Sequence, residues 1–326
     1  MNKNVRLGYC CINMSLAPQG ITANHGMIKK TFQQKGIQYA GEVAMQNLDA
    51  LHKILQWNLQ NQIYVYRMSS DMFPWMSEYE IHDLPNFKQL YVKLHQIGQF
   101  IISNGMRVSM HPGQFDVLAS PTDSIVLKTI KDLNQHSEIM DLMSLPPTTE
   151  FPINIHIGGT YGDKLSASSR FCENFTRLKL TTRLRLVVEN DDKASQYSVR
   201  DLMEQIWDKI QTPITFDYHH HRFNTGGLSE YAAIQIASVT WIDKQCTPLF
   251  HYSSCKRTFE DSSVIARAHA DYIYEQINTY GLPMDIDLEA KAKDLAVLRY
   301  RENHQTLLTE YLEFDGSDKI ILENVN

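Results

Sequence analysis

Short apolar runs recur along the chain, separated by longer stretches with helical periodicity. Each run has the length of a buried strand, about 4–8 residues, and most are rich in Val, Ile, Leu or Phe. They predict eight strands: Val5 to Cys10, Ile63 to Met68, Met106 to Met110, Ile153 to Ile157, Leu184 to Val188, Ile214 to Tyr218, Pro248 to Tyr252 and Met284 to Leu288.

Helices are predicted between these strands. Strands that alternate with helices imply a parallel sheet, and eight repeats of the unit favour closure into a single (β/α)8 TIM barrel of the α/β class. The predicted helices are Val43 to Asn58, Phe87 to Asn104, Ser124 to Met143, Val199 to Ile210, Ser229 to Trp241 and Val264 to Tyr280, and a last one follows from Glu289.

The chain contains no linker that would divide it into two domains. Its length of 326 residues alone would fit either one barrel or two ordinary domains. The proline-containing segment from Ser144 to Phe151 is predicted to be a loop before the fourth strand. We therefore expect one barrel domain, residues 1–315, followed by a polar C-terminal appendix, residues 316–326.

Composition indicates a globular protein, with 43% hydrophobic and 21% charged residues. No apolar run approaches the ~20 residues that cross a bilayer, and Met1 to Tyr9 lacks the apolar core of a signal peptide. We expect a soluble, cytoplasmic monomer without a membrane partner. The five cysteines include no Cys-x-x-Cys spacing and are expected to be reduced and without a role in the chemistry.

The formal net charge of −6 at first argues against a nucleic-acid partner, because phosphate binding usually needs a basic surface. Carboxylates that bind divalent cations reverse the local charge where a phosphate would lie. Net charge therefore excludes neither a nucleic-acid-binding protein nor a protein without a nucleic-acid partner.

Metal-type side chains fall at or near the carboxyl ends of six predicted strands. These ends meet at one mouth of a barrel, where the active sites of this fold are built. Glu189 is the most informative, because a carboxylate buried in an apolar strand is costly without a cation. The six, from the third strand to the eighth, are His111, His156, Glu189, Asp217, His251 and Glu289.

Imidazole and carboxylate ligands together suit manganese or zinc, and Glu189 could bridge two ions. Two such ions form a phosphodiester clamp, one activating water and the other stabilising the leaving oxygen. A lone His in a strand is more often structural. In the run His219 to His221 at most one or two can bind, and His220 is the candidate. His269 lies in the first part of the helix predicted from Val264 to Tyr280 and could simply be a residue near the start of that helix.

A series of short polar blocks also follows the predicted strands in a fixed order. They are Arg6-Leu7-Gly8-Tyr9 with Asn13, Tyr66-Arg67-Met68-Ser69-Ser70 with Pro74-Trp75, His111-Pro112-Gly113-Gln114-Phe115, His156-Ile157-Gly158-Gly159, Glu189-Asn190-Asp191, Phe216-Asp217 with His220, His251-Tyr252-Ser253-Ser254, Ala268-His269-Ala270-Asp271 and Glu289-Ala290-Lys291.

In this order the blocks resemble those of the UV damage endonucleases, a DNA-repair family, over most of the chain. The resemblance implies a barrel with a cluster of two or three ions, Mn²⁺ or alternatively Zn²⁺. It also implies incision of duplex DNA immediately 5′ of pyrimidine photoproducts, leaving a 3′-hydroxyl. The implied ligands are His111, His156, Glu189, Asp217, His220, His251, His269 and Glu289, among which Glu189, Asp217, His251 and Glu289 are the expected catalytic residues.

The same resemblance implies DNA-contacting residues. Gln114 and Phe115 match residues that probe the duplex at the lesion, and a flat ring can fill the gap left by unstacked bases. Tyr9 and Asn13 match positions near the lesion pocket. Separately, Arg67 and Lys164 lie near strand ends and could contact phosphates, although a surface ion pair is the commoner role.

Two positions depart from the family pattern. The probing aromatic residue is commonly Tyr in the family, and Phe115 keeps the stacking surface without the hydroxyl. Two residues before the seventh-strand His, relatives carry a Lys that is chemically modified near the metals, whereas this chain has Leu249. We expect a retained cluster with altered metal affinity or occupancy, particularly at a third ion held by His220 and His269.

Three other functions remain open from the sequence. A sugar isomerase or epimerase gathers similar ligands, but would bury the aromatic residue of Gln114-Phe115 as a pocket wall. An abasic-site endonuclease of the endonuclease IV type would share barrel and cluster. A non-catalytic binder of damaged DNA should have lost metal ligands, and this sequence keeps all eight.

Overall fold

The computed structural model describes residues 5–113 and 115–310, and all eight predicted strands are present. Their observed ends differ from the predicted ones by at most a few residues. The strands are β1 (Val5–Cys10), β2 (Val65–Met68), β3 (Arg107–Met110), β4 (Ile153–Ile155), β5 (Leu186–Glu189), β6 (Ile214–Thr215), β7 (Leu249–Tyr252) and β8 (Met284–Leu288).

The strands form one parallel sheet that curls into a nearly closed barrel. Their order is β6-β5-β4-β3-β2-β1-β8-β7, so β6 and β7 are the two edges. A parallel bridge between Asp217 and His251 joins these edges, and the amide of His251 donates to the carbonyl of Phe216 at 2.9 Å. The predicted TIM-barrel fold is thus confirmed.

Helices cover the outside of the barrel and bury the apolar outer face of the strands. The first is interrupted at Gly36, whose φ of 66° lies in the left-handed region. The helices are Lys29–Gln60, Phe87–Ser103, Asp123–Leu142, Lys164–Phe175, Leu180–Arg185, Val199–Leu202 with its π-turn Met203–Trp207 and continuation Asp208–Ile210, Tyr218–Phe223, Glu230–Ile242, Lys256–Phe259 and Asp294–Glu310, with 3-10 turns at Ala17–Gln19, Met76–Glu78 and Ile81–Asp83.

The helix predicted from Val264 to Tyr280 is wrong, because this segment is irregular in the structure. Several of its backbone N–H groups bond outside the segment, which removes the need for helical hydrogen bonds there. The amide of Ala270 donates to the carbonyl of Ser254 at 2.9 Å, and the amide of Ile277 donates to the hydroxyl of Tyr300 at 3.0 Å. The last helix likewise begins at Asp294 rather than at Glu289.

Charged groups occupy the barrel floor, at the amino ends of the strands. Arg107 is completely buried and donates to Asp285 Oδ2 across the barrel at 2.9 Å, while Arg6 donates to Asp285 Oδ1 at 2.7 Å. Pairing of this kind makes buried charge tolerable. The interior is therefore polar at both ends, and the upper end carries the candidate site.

Among the described residues, no helix is both long and apolar enough to cross a membrane. The predicted appendix, residues 316–326, lies outside the described part of the chain.

Candidate metal centre

The predicted ligands converge on the carboxylate of Glu189, at the end of β5. His111 Nε2 and His251 Nδ1 lie 3.2 and 3.1 Å from Glu189 Oε2, and His220 Nδ1 lies 3.2 Å from Oε1. His156 Nε2 is 3.8 Å from Oε2. Glu189 itself is only 1% exposed. Four imidazoles from separate strand ends thus surround one buried carboxylate.

Three groups of side chains could each hold a metal ion, because one ligand atom from every member lies within 4.8 Å of the others. Glu189 belongs to the first and second groups, and Asp217 to the second and third, so the groups are contiguous. They are His111 with His156 and Glu189, then Glu189 with Asp217 and His220, then Asp217 with His251 and Glu289.

The residues fit a bound cation because buried polar atoms here are unsatisfied. Asp217 Oδ2 and His251 Nδ1 are buried and have no hydrogen-bond partner among the described residues. His251 Nδ1 is close to Glu189 Oε2, but their alignment is not that of a hydrogen bond. Unpaired buried polar atoms are costly, and a divalent cation would satisfy both. Nitrogen and carboxylate donors together suit zinc or manganese.

Amide and backbone groups orient the shared carboxylates. Asn154 Nδ2 donates to Glu189 Oε2. The amide of His220 donates to Asp217 Oδ1 at 2.7 Å, and the amide of Asp217 donates to Asn190 Oδ1 at 2.8 Å. Such partners fix the direction of metal ligands. Asn154 and Asn190 were missed as site residues, although Asn190 directly follows Glu189.

Electrostatic coupling in the cluster shifts the pKa values of its members in opposite directions. Burial would raise the pKa of Glu189, but the surrounding imidazoles of His251 and His156 hold it well below its usual range. Burial lowers the pKa of His156 and His220, but neighbouring carboxylates outweigh it and raise these pKa values to about 9 and about 11. Without metal, the centre therefore favours protonation of His156 and His220, whereas burial lowers the pKa of His111.

Arg67 points into the site rather than toward solvent. Its Nη1 donates to Glu289 Oε1 at 2.7 Å, and both side chains are largely buried. Lys164, the other predicted phosphate contact, donates to Asp201 Oδ2 at 3.1 Å. Both cations form ion pairs within the protein, and their contacts with DNA phosphates stay predictions.

His269 lies at the edge of the cluster, outside the three groups formed by the described residues. Its Nδ1 is 3.1 Å from the carbonyl oxygen of Glu289 and 3.5 Å from Oε2. Within the histidine run, only His220 approaches Glu189. His219 is fully buried, its ring centroid is 5.1 Å from that of His269, and burial lowers its pKa to about 4.

The predicted DNA-contacting residues differ sharply in exposure. Phe115 is 82% exposed, whereas Gln114 lies outside the described residues. Tyr9 and Asn13 are completely buried: the Tyr9 hydroxyl donates to Asn58 Oδ1 at 2.6 Å and accepts from Asn13 Nδ2 at 2.8 Å. In this conformation neither residue meets solvent.

A cavity of about 320 Å³ lies between the cluster of candidate ligands and the loop after β3 that contains Phe115, called the Phe115 loop below. His111, His156 and His220 form its inner wall, and Lys193 and Gln196 line its outer part. Asp191, also in the lining, lies 3.0 Å from His156 Nδ1 through its Oδ1. Lys193 and Gln196 were not singled out from the sequence, because no strand end or spacing marks them.

Comparison with known proteins places these features in a family. The family model described as UV-endonuclease UvdE matches residues 5–316. A UV DNA damage endonuclease of Clostridium perfringens is 33% identical over 303 residues, covering 90% of this chain and 69% of that protein. A UV-damage endonuclease of Schizosaccharomyces pombe is 32% identical over 301 residues, covering 90% of this chain and 49% of that protein.

Solved structures agree with this assignment. The crystal structure of SacUVDE superposes with a TM-score of 0.81 at 31% identity, covering 93% of this chain and 99% of that one. A 3-keto-D-glucoside 4-epimerase from E. coli superposes with a TM-score of 0.51 at 10% identity, covering 94% and 99%. The second likeness shows only that the two proteins share the barrel fold.

Proposed function

This chain belongs to the UV-endonuclease UvdE family, and on that premise we propose that it is a metal-dependent endonuclease acting on UV-damaged duplex DNA. The cut falls immediately 5′ of a pyrimidine dimer or 6-4 photoproduct, leaves a 3′-hydroxyl and initiates excision repair. The observation that carries this proposal is the set of three contiguous ligand groups linked by Glu189 and Asp217. Its action as a cytoplasmic monomer remains a prediction.

In this proposal two or three divalent ions, Mn²⁺ or alternatively Zn²⁺, are held by the eight predicted ligands. Glu189 and Asp217 would be shared between neighbouring ions, because each belongs to two groups. Bound ions of this type activate water and stabilise the leaving oxygen of a phosphodiester. His269, at the edge of the cluster beside Glu289, would complete the group formed by Asp217, His251 and Glu289.

Hydrogen bonds from neighbouring side chains fix the orientation of the candidate ligands. Asn154 holds one oxygen of Glu189, and Arg67 holds one oxygen of Glu289, so each carboxylate can direct its remaining lone pairs toward ions. Burial of Glu189, Asp217 and His251 excludes water from the inner side and strengthens every charge interaction there.

Recognition of the lesion is proposed to depend on the Phe115 loop. An exposed ring can enter the duplex where stacking is already weakened by a fused dimer, at lower cost than in undamaged DNA. Gln114 is expected to act beside it. The cavity between this loop and the cluster, with Lys193 on its outer part, suits the sugar-phosphate backbone next to the lesion.

The exposure of Phe115 also favours an endonuclease over a sugar isomerase or epimerase. An enzyme for a small sugar encloses its substrate, and an aromatic residue at this position would form a buried wall. Here 82% of the side-chain surface is exposed.

The test is nicking of a duplex oligonucleotide that carries one defined pyrimidine dimer, with Mn²⁺ added or chelated. Undamaged and abasic duplexes of the same sequence are the controls. Mn²⁺-dependent incision just 5′ of the dimer is the expected result. Cutting of the abasic duplex alone would indicate an endonuclease IV type of specificity, and no cutting of any duplex would contradict the proposal.

A further inference from the structure

Asp287 is a buried acid in the barrel interior to which the site described so far assigns no role. It lies on β8, two residues before Glu289, and its side chain is 0% exposed. Its Oδ2 accepts a hydrogen bond from Ser109 Oγ at 3.3 Å, across the interior from β3. Its Oδ1 is buried and has no hydrogen-bond partner among the described residues.

The register of the strands places Asp287 next to the candidate ligands. Asp287 pairs with His251 on β7, and His251 is bridged to Asp217, two residues after β6. Register partners in a parallel sheet direct their side chains to the same face. Asp217, His251 and Asp287 therefore form one row at the ends of three neighbouring strands, and the first two belong to the same ligand group.

The strand on the other side of β8 leaves room for this carboxylate. Gly8 on β1 pairs with Asp287, and a Cβ at Gly8 would lie only 2.8 Å from Asp287 Oδ1 and 2.5 Å from the carbonyl oxygen of Val65. Any larger residue would push against the acid. The glycine therefore fits both the close Val65 carbonyl and the adjacent carboxyl of Asp287.

The charged groups near Asp287 indicate that its carboxyl faces the candidate metal centre. Arg67 is the buried guanidinium at this level, and it already donates to Glu289. Imidazoles bind divalent ions through neutral nitrogen. Burial raises the pKa of Asp287, and divalent ions held by the neighbouring ligands would supply the positive charge that favours its ionised form.

We propose that Asp287 is an additional acidic residue of the metal centre, which strengthens cation binding at the group formed by Asp217, His251 and Glu289. It acts as a positioning residue, placing negative charge directly beneath that group. This inference rests on the metal dependence proposed above. It also offers a basis for a retained centre in spite of Leu249, which is buried, apolar and two residues before His251.

The test compares Mn²⁺ binding by the full chain and its Asp287→Asn variant, after both are stripped of metal with a chelator. Free Mn²⁺ is measured by electron paramagnetic resonance in a titration without DNA, and thermal unfolding of the metal-free proteins is followed in parallel. Ser109→Ala is the matched control, since it removes the hydrogen bond to Asp287 and keeps the charge.

We expect Asp287→Asn to weaken the least tightly bound Mn²⁺ by about 10-fold or more. The Tm of the metal-free variant should be unchanged or higher, because a buried charge without a full set of partners is replaced by a neutral group of the same shape. The Mn²⁺ affinity of Ser109→Ala should stay within about twofold of the wild-type value, because this variant keeps the carboxyl group of Asp287.

Two results would overturn the inference: wild-type Mn²⁺ affinity in Asp287→Asn, or a loss of affinity accompanied by a lower Tm of the metal-free variant, which would indicate a structural role. Because Mn²⁺ binding is measured without DNA, the role of Asp287 and the proposed endonuclease activity are tested separately. A wild-type chain that binds Mn²⁺ and does not cut dimers would contradict the endonuclease and leave the role of Asp287 standing.

Discussion

Arg67 on β2 and Glu289 after β8 form a largely buried ion pair across the barrel mouth, with 2.7 Å between Nη1 and Oε1. Burial would raise the pKa of Glu289, but Arg67 and His251 outweigh it and hold that pKa below its usual range. The carboxylate therefore stays ionised and directed toward the candidate metal centre. This ion pair indicates that Arg67 positions Glu289, and its contact with a DNA phosphate stays a prediction.

Replacing Arg67 with Gln should lower kcat for dimer incision by about 10- to 100-fold, because Glu289 loses its fixed orientation. The Kd for damaged duplex should change by less than about twofold, because the side chain barely reaches solvent. Single-turnover incision and fluorescence anisotropy would measure the two effects. The slope of log affinity against log salt concentration should be unchanged for this variant. Loss of a phosphate contact would instead reduce that slope by about one unit.

Lys193→Gln is the matched control for that experiment. Lys193 is an exposed cation lining the cavity beside the cluster. Its loss should reduce the salt slope of DNA binding by about one unit. If Arg67→Gln changes the slope and Lys193→Gln does not, their roles have been assigned the wrong way round.

Replacing Glu189 with Gln should reduce incision by more than about 100-fold while leaving the fold intact. The amide keeps the volume of the side chain, but it removes the charge that two ligand groups share. Incision assays and circular dichroism would test this. Glu150→Gln, a change of a partly exposed acid near the barrel floor, is the control and should cut normally. A fully active Glu189→Gln variant would remove Glu189 from the proposed site.

Phe115→Ala should reduce incision at a dimer without changing stability. The ring is 82% exposed, so the free energy of unfolding should stay within about 0.5 kcal/mol of wild type. Stacking on one base is worth about 1–3 kcal/mol, and the expected loss of kcat/KM is roughly 10- to 100-fold. Tyr91→Ala, which changes an exposed aromatic residue on the outer helix Phe87–Ser103, should have no such effect. Equal activity of Phe115→Ala and wild type would exclude the ring from lesion probing.

Mn²⁺ affinity should increase with pH. Metal binding requires neutral imidazole, and in the metal-free chain the pKa of His156 is raised to about 9 and that of His220 to about 11. At neutral pH both rings must therefore release protons when they bind an ion. Calorimetry in two buffers of different ionisation enthalpy should show release of about two protons, with affinity rising about tenfold per pH unit for each one. Metal binding without proton release would contradict this coupling.

The same two histidines should make the metal-free protein less stable as the pH rises, whereas Mn²⁺ affinity increases. Their folded pKa values lie above the ordinary 6.5, so their stabilisation is fully present below that pH and is lost as the pH rises through about 9 for His156 and about 11 for His220. The Tm in chelator should accordingly fall from neutral pH toward pH ~9. The increase in Tm on adding Mn²⁺ should grow over the same range.

The amino-acid sequence by itself determined the barrel and most of the candidate ligands. Apolar runs at strand length, separated by helical stretches, are sufficient to predict eight parallel strands. Because the carboxyl ends of such strands meet at one mouth, polar residues at those ends must be neighbours. Glu189, Asp217 and Glu289 could be found in this way, whereas His269 depended on the family resemblance.

Only the tertiary structure decided which charged and polar groups face one another. The direction of Arg67 toward Glu289, the burial of Tyr9 and Asn13, and the Asp287 oxygen that finds no partner among the described residues all depend on contacts between strands far apart in the chain. The predicted helix after β7 fails for the same reason, since its backbone finds partners in distant segments. Periodicity reports the environment of a residue along its own element, whereas pairing across a barrel depends on register and closure, which emerge only when all eight strands assemble.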